Sequence, residues 1–252
     1  MIALLDYKAG NLTSVKKALT TLGADVFVPA APEDLAGATG IIVPGVGHFG
    51  ATRSLDQAWI DAVLGRVGEG RPLFGICLGM QWLFEGSDEA PECPGLGLLA
   101  GRCYRLGTVR LKPDTTEDNP SAEANARDTS RDTGRDTGRD TGRDTGRDTG
   151  RDTGSVRLQP DQTIKVPHVG WNSLAIERGD ASIVDGVAPN AQVYFTHSYV
   201  APVTSDTVAV AEHGERFAAI VQHGQIAGVQ FHPEKSGDVG LRILRNFLEL
   251  AG

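Results

Sequence analysis

Phe74-Gly75-Ile76-Cys77-Leu78-Gly79-Met80-Gln81 is the stretch that decides the fold. The residues before it, Arg71 to Phe74, are apolar enough for a short buried strand. Those after it, Leu78 to Glu85, read as a helix with Leu83 and Phe84 on its inner side. A cysteine at the junction, with glycine two residues away on either side, is the cysteine form of the strand–elbow–helix nucleophile turn. Glycine is called for because the turn is tight and the two backbones approach closely. Partial positive charge at a helix N-terminus would favour the thiolate, the reactive form of the sulfur. A buried, inert cysteine is the plainer reading. The two spaced glycines favour the nucleophile.

Such a sulfur needs a base, and the chain has six histidines. In Gly228-Val229-Gln230-Phe231-His232-Pro233-Glu234-Lys235-Ser236 a strand over residues 226–231 ends at His232, with Glu234 two positions on. In extended chain those two side chains leave on the same side. The carboxylate can then fix the imidazole tautomer and turn its other nitrogen to the sulfur. His197 is the rival, but it lacks a carboxylate at i+2, so His232 is preferred.

These residues resemble the Cys–His–Glu triad of class I glutamine amidotransferases, with Cys77, His232 and Glu234 on the family's positions. More narrowly, the chain is similar to the glutaminase subunits of imidazole glycerol phosphate synthase, of histidine biosynthesis. The narrower likeness rests on Asp6-Tyr7-Lys8-Ala9-Gly10-Asn11-Leu12, Pro44-Gly45-Val46-Gly47, Pro167-His168-Val169-Gly170-Trp171-Asn172, His197-Ser198-Tyr199 and His232-Pro233-Glu234-Lys235-Ser236. Lys8 departs from it, since the family has glycine there. The resemblance implies hydrolysis of glutamine to glutamate and ammonia, with no cofactor. It also implies a separate (β/α)8-barrel cyclase subunit as the ammonia acceptor. By the same likeness Gly47, Gln81 and Ser198 hold glutamine, and Asn11, Trp171, Tyr194 and Lys235 face the cyclase. A Gly170-Trp171-Asn172 turn is expected at the mouth of the site, although composition alone would put Trp171 in the core.

The rest of the chain supplies the frame. Alternating short strands (2–7, 25–29, 40–43) and a helical pattern opened by Asn11, with Leu12, Val15, Leu19 and Leu22 stopped at Gly23, predict parallel βαβ units. The fold class expected is α/β, a doubly wound, mostly parallel sheet with flanking helices and flavodoxin-like layering. Ligands in such sheets bind at the carboxyl ends of the strands. The strand at 40–43 runs into Pro44 to Gly50, where Val46 or Gly47 could donate a backbone N–H to an oxyanion beside the Leu78 N–H. Residues 51–69 read as a helix with Leu55, Trp59, Val63 and Val67 in one row. A strand is expected at 102–106, another at 192–200, and a hairpin pairs 208–212 with 217–222. Asp238 is a candidate cap for a last helix that turns Leu241, Leu244, Phe247 and Leu248 to the sheet.

One segment stands apart. At about 112–162 the chain carries seven tetrads, Arg127 to Gly154, one Arg-Asp-Thr-Ser and six Arg-Asp-Thr-Gly. Val109 to Asp114 recurs at Val156 to Asp161 with one change. A neutral tetrad with no apolar residue cannot offset the entropy of folding, so a solvated low-complexity insertion in one amidotransferase domain is expected.

Composition limits the other classes. Net charge −8 with no basic stripe gives nucleic-acid binding little support. No apolar run reaches the length of a membrane span, and the start carries no basic leader, so a cytoplasmic protein is expected. Cys77, Cys93 and Cys103 lack metal spacing, and no phosphate-binding loop or ATP site is visible. Service to a different synthase, a cysteine peptidase with the same turn, and a binding subunit with a vestigial site remain as alternatives.

Overall fold

The computed structural model describes residues 1–8, 10–107 and 164–252. The repeat insertion therefore lies outside the described residues. In chain order the elements are β1 (Ile2–Leu4), α1 (Leu12–Thr21), β2 (Val26–Phe27), β3 (Gly40–Val43), α2 (Gln57–Gly68), β4 (Leu73–Ile76), α3 (Leu78–Trp82), β5 (Gly86–Ser87) and β6 (Arg102–Arg105). Beyond the insertion come β7 (His168–Ser173), β8 (Ala175–Ile176), β9 (Gln192–His197), β10 (Tyr199–Val200), β11 (Thr207–Glu212), β12 (Arg216–His223), β13 (Ile226–Val229) and α4 (Gly237–Ala251).

Eight strands form the main sheet in the order β2-β1-β3-β4-β13-β12-β11-β8. The first five are parallel to one another, and β12, β11 and β8 continue antiparallel. Alternation explains the two layers of helices. Ile2 and Leu4, Ile42, and Phe74 and Ile76 pack in one core cluster with Val15 and Leu19 of α1 and Ile243, Leu244 and Phe247 of α4. Ala3 and Leu5, Ile41 and Val43, and Leu73 pack in the other, with Val63 of α2 and Leu78, Met80 and Trp82 of α3. Strands covered on both faces need apolar residues at successive positions, which is how these strands read. The doubly wound, mostly parallel sheet is thus present.

Several local expectations change. The helix expected over 51–69 begins at Gln57, where Asp56 accepts from the Ala58 and Trp59 N–H groups, and a 3-10 turn precedes it. The helix after Cys77 stops at Trp82 because the next carbonyls have other donors. Trp82, Leu83 and Phe84 accept from the N–H groups of Leu96, Leu98 and Gly97. Asp238 makes no cap bond to α4, and Ile243 joins Leu244 and Phe247 in the buried face. The expected Gly170-Trp171-Asn172 turn is part of β7, paired antiparallel with β9. Its inward face carries His168, and its outward face carries Val169 and Trp171, each 58% exposed.

Candidate active site

At the end of β4, Cys77 has φ 53° and ψ −105°, a backbone state that side-chain-bearing residues rarely adopt. What over-determines it is visible in the two glycines. A Cβ on Gly79 would lie 1.8 Å from the Val43 carbonyl oxygen, and one on Gly75 would lie 2.5 Å from the Gly79 oxygen. Strand, turn and helix can be this close only without those side chains. With five residues, α3 adds little macrodipole, so the charge environment of the sulfur comes chiefly from neighbouring side chains.

The neighbour strand brings the imidazole. β13 pairs in parallel with β4, Val229 opposite Ile76, and the Cys77 N–H donates to the Val229 carbonyl at 2.7 Å. Three residues beyond Val229 stands His232, fully buried. Its Nδ1 lies 3.0 Å from Glu234 Oε1, and both side chains are sealed from solvent. With Nδ1 committed to the carboxylate, Nε2 is the ring nitrogen left for the Cys77 sulfur, and it is buried with no other hydrogen-bond partner among the described residues. Burial alone would lower the pKa of His232; hydrogen bonding and charge from the Cys77 sulfur and the Glu234 carboxylate outweigh it and raise the value to about 9. Glu234 shows the same contest. Burial opposes ionisation, and the His232 partner, followed by Asn11, holds the carboxyl below its ordinary value.

The His232 turn is also held through its backbone. The His232 N–H donates to the Tyr194 carbonyl at 2.9 Å. The Ser236 hydroxyl donates to the His232 carbonyl at 2.7 Å and accepts from the Tyr194 N–H at 3.0 Å. Strand β9 therefore clamps the turn that carries His232 and Glu234.

His197 is placed quite differently. Its Nδ1 bonds the Tyr199 carbonyl at 3.1 Å, and its Nε2 lies 3.2 Å from His168 Nδ1. Both ring nitrogens are thus engaged. Burial first, then the neighbouring His168, lowers its pKa to about 3; His168, buried and beside His213, falls to about 4. This pair is a neutral, hydrogen-bonded layer under the site.

A cleft of about 250 Å³ opens over the sulfur, lined by Gly47, Cys77, Leu78, Gln81, His197 and Ser198 among others. The predicted oxyanion and glutamine-binding residues gather there, except Val46. That residue is half-buried, with a methyl group 2.8 Å from where a Gly10 Cβ would stand. Trp171 and Tyr194 are directly paired and meet edge to face at 6.1 Å, with Lys235 Nζ 5.8 Å from the Tyr194 ring. Asn11 is turned inward instead, its amide on Glu234 Oε1. Sequence reasoning missed Glu89 and Gln230. Glu89 lines the cleft and accepts from the Phe49 N–H at 2.7 Å. Gln230 is fully buried, with Nε2 3.6 Å from Cys77 Sγ. A lone amide at the end of an apolar strand was the available signal.

The arrangement can polarise a thiol, accept a planar substrate over it and move a proton at His232 Nε2. No group of ligating side chains among the described residues could hold a metal ion. No helix among them is long and apolar enough to cross a membrane.

Comparison with known proteins agrees with this picture. Residues 3–251 match the family described as glutamine amidotransferase class-I. The chain is 38% identical over 255 residues to imidazole glycerol phosphate synthase subunit HisH of Gloeobacter violaceus, covering 99% of this chain and 89% of that one. It is 38% identical to the subunit of the same name from Shouchella clausii, covering 99% and 98%. Among solved structures, a glutamine amidotransferase superposes with TM-score 0.62 at 22% identity, covering 100% and 98%. PurLQS from Thermotoga maritima gives 0.63 at 14%, covering 98% and 97%. The two structural likenesses speak to the fold.

Proposed function

Since the chain belongs to the class-I glutamine amidotransferase family, close to the HisH subunits, we propose that it is the glutaminase subunit of an imidazole glycerol phosphate synthase. In this reading it hydrolyses glutamine and delivers ammonia to a (β/α)8-barrel cyclase subunit in the cytoplasm. The observation that carries the chemistry is the sealed His232–Glu234 pair beside the Cys77 sulfur at the floor of the cleft.

Cys77 thiolate attacks the side-chain amide carbon of glutamine, and the carbonyl electrons move to oxygen. Backbone N–H groups of Leu78 and of the Val46–Gly47 loop receive that oxyanion. His232, protonated on Nε2 and oriented by Glu234, gives its proton to the leaving nitrogen. The C–N bond breaks, ammonia departs and a thioester to Cys77 remains. His232 then takes a proton from water, the hydroxide attacks the thioester, and glutamate leaves as the thiolate re-forms. Gln81, Ser198 and Gly47 hold the glutamine, and the Glu89 carboxylate offers a counter-charge to its α-ammonium. Trp171, Tyr194 and Lys235 form the docking face for the cyclase, with Asn11 behind it. The backbone bonds from Tyr194 to the His232 turn support this reading, since they join that face to the base.

The test is a glutaminase assay of the chain alone and with the cyclase subunit and its nucleotide substrate. Slow turnover alone, strong stimulation by the partner, and none in Cys77→Ala are expected. Fast turnover that ignores the partner would count against the coupling, and turnover in Cys77→Ala against the chemistry.

A further inference from the structure

We propose that Gln230 donates a side-chain N–H to Cys77 Sγ and so stabilises the thiolate, in an orientation set by a buried relay through Gln81. The inference rests on Cys77 being the nucleophile.

Three contacts in series carry it. Gln81 Nε2 donates to the Tyr199 carbonyl at 2.9 Å and to Gln230 Oε1 at 3.2 Å, and Gln230 Nε2 donates to Cys77 Sγ at 3.6 Å. Gln230 is fully buried and Gln81 is 4% exposed. An amide has a donor end and an acceptor end, and which way it points must follow from its partners. Here the first link decides the rest. A backbone carbonyl can only accept, so the Gln81 nitrogen faces Tyr199. That nitrogen in turn requires the oxygen of Gln230, which leaves the Gln230 nitrogen facing the sulfur. The reversed amide would set two donors against each other and an oxygen lone pair against a thiolate.

The backbone fixes Gln230 equally well. It is the residue after β13, with its N–H on the Ala219 carbonyl at 2.9 Å, while the Cys77 N–H bonds Val229 on the same strand. Sulfur and amide therefore keep their separation through sheet pairing. Hydrogen bonds to an ionised acceptor are among the stronger ones, and this one strengthens when the thiol loses its proton.

The measurement is alkylation of Cys77 by iodoacetamide in the full-length chain, followed by mass spectrometry across pH. Gln230→Met keeps the volume, removes the donor and leaves Gln81 on Tyr199. Its alkylation at pH 7 is expected to be about tenfold slower, with the pH profile displaced to the alkaline side. In the assembled enzyme kcat falls while KM for glutamine holds. Gln230→Met alkylating with the wild-type profile would overturn the proposal. If that variant does not fold, the wild-type chain still decides. The Gln230 side-chain amide resonances must shift when Cys77 is replaced by Ala, and signals that stay in place overturn the assignment. Wild-type Cys77 reacting no faster than Cys93 or Cys103 would instead remove the nucleophile reading on which the inference stands.

Discussion

The Asn11 side-chain amide is hydrogen-bonded to the Glu234 carboxylate, joining two residues 223 positions apart. Asn11 sits at φ 66°, at the N-cap of α1, yet makes no side-chain cap bond there. Its amide serves the acid that orients His232. Asn11→Ala is expected to lower kcat about tenfold with a smaller change in KM, because a charged acceptor loses one donor. Steady-state kinetics of the assembled enzyme would show this; an unchanged kcat would leave Asn11 with a packing role only.

Stability should depend on pH on both sides of neutrality. The pKa of His232 is raised from 6.5 to about 9, so its contribution is complete below pH 6.5 and is lost as pH rises through about 9. His197 and His168 run the other way, lowered to about 3 and about 4. Below pH 6.5 the unfolded chain takes up protons that these buried rings refuse, so stability falls with acidification. Glu234, held low, adds to the acid loss. Thermal unfolding followed from pH 5 to 9.5 should peak near 6.5, and His232→Gln should flatten the alkaline limb. A midpoint constant over that range contradicts these environments.

Lys8 occupies φ 63°, a left-handed state, with its N–H on Asp6 Oδ1 at 2.9 Å. Glycine, the residue expected here from the family likeness, would be unstrained in that state. Lys8→Gly relieves about 1 kcal/mol of backbone strain and gives back part of it in unfolded-state entropy. A net gain of about 0.5 kcal/mol in urea unfolding is expected, whereas Lys8→Val should destabilise.

Trp171 stands exposed beside Tyr194, with 58% of its surface accessible. Trp171→Ala should leave the unfolding midpoint of the lone chain in place. Affinity for the cyclase should fall by about 2 kcal/mol, the scale for an aromatic anchor in an interface. Titration calorimetry separates the two effects, and a lost midpoint with intact affinity would make Trp171 structural.

The insertion leaves the described fold after Gly107 and returns at Ile164, and a Cβ on Gly107 would lie 3.9 Å from Ile164. A four-residue linker can span such a gap. Replacing residues 108–163 by one should preserve glutaminase activity and raise stability by up to about 2 kcal/mol through a shorter loop closure. Loss of folding would show that the repeats support the domain.

The parts of the site that could be read from sequence are those written locally. Gly75, Cys77 and Gly79 encode the turn within five residues, and His232 carries its carboxylate two residues on. Relations made by tertiary approach left no such trace. The amide series Gln81–Gln230–Cys77 needs β4 and β13 to be neighbours, and Asn11 finds Glu234 only after α1 and α4 share a face of the sheet. The helix after Cys77 is shorter than its sequence pattern because the donors at 96–98 that claim the carbonyls of Trp82, Leu83 and Phe84 are loop residues without periodicity. The unbroken apolar runs of β1, β3 and β4 made a sheet covered by helices on both faces legible, since strands buried on both sides leave few other arrangements.

Sulfur and imidazole ride on adjacent hydrogen-bonded strands, with Ile76 opposite Val229. A slip of one position between them would carry His232 to the wrong side of the sheet. Reactivity of Cys77 is consequently a tally of molecules whose central pairing is right. Titrating a preparation with an irreversible glutamine analogue would count its correctly assembled fraction without any measurement of shape.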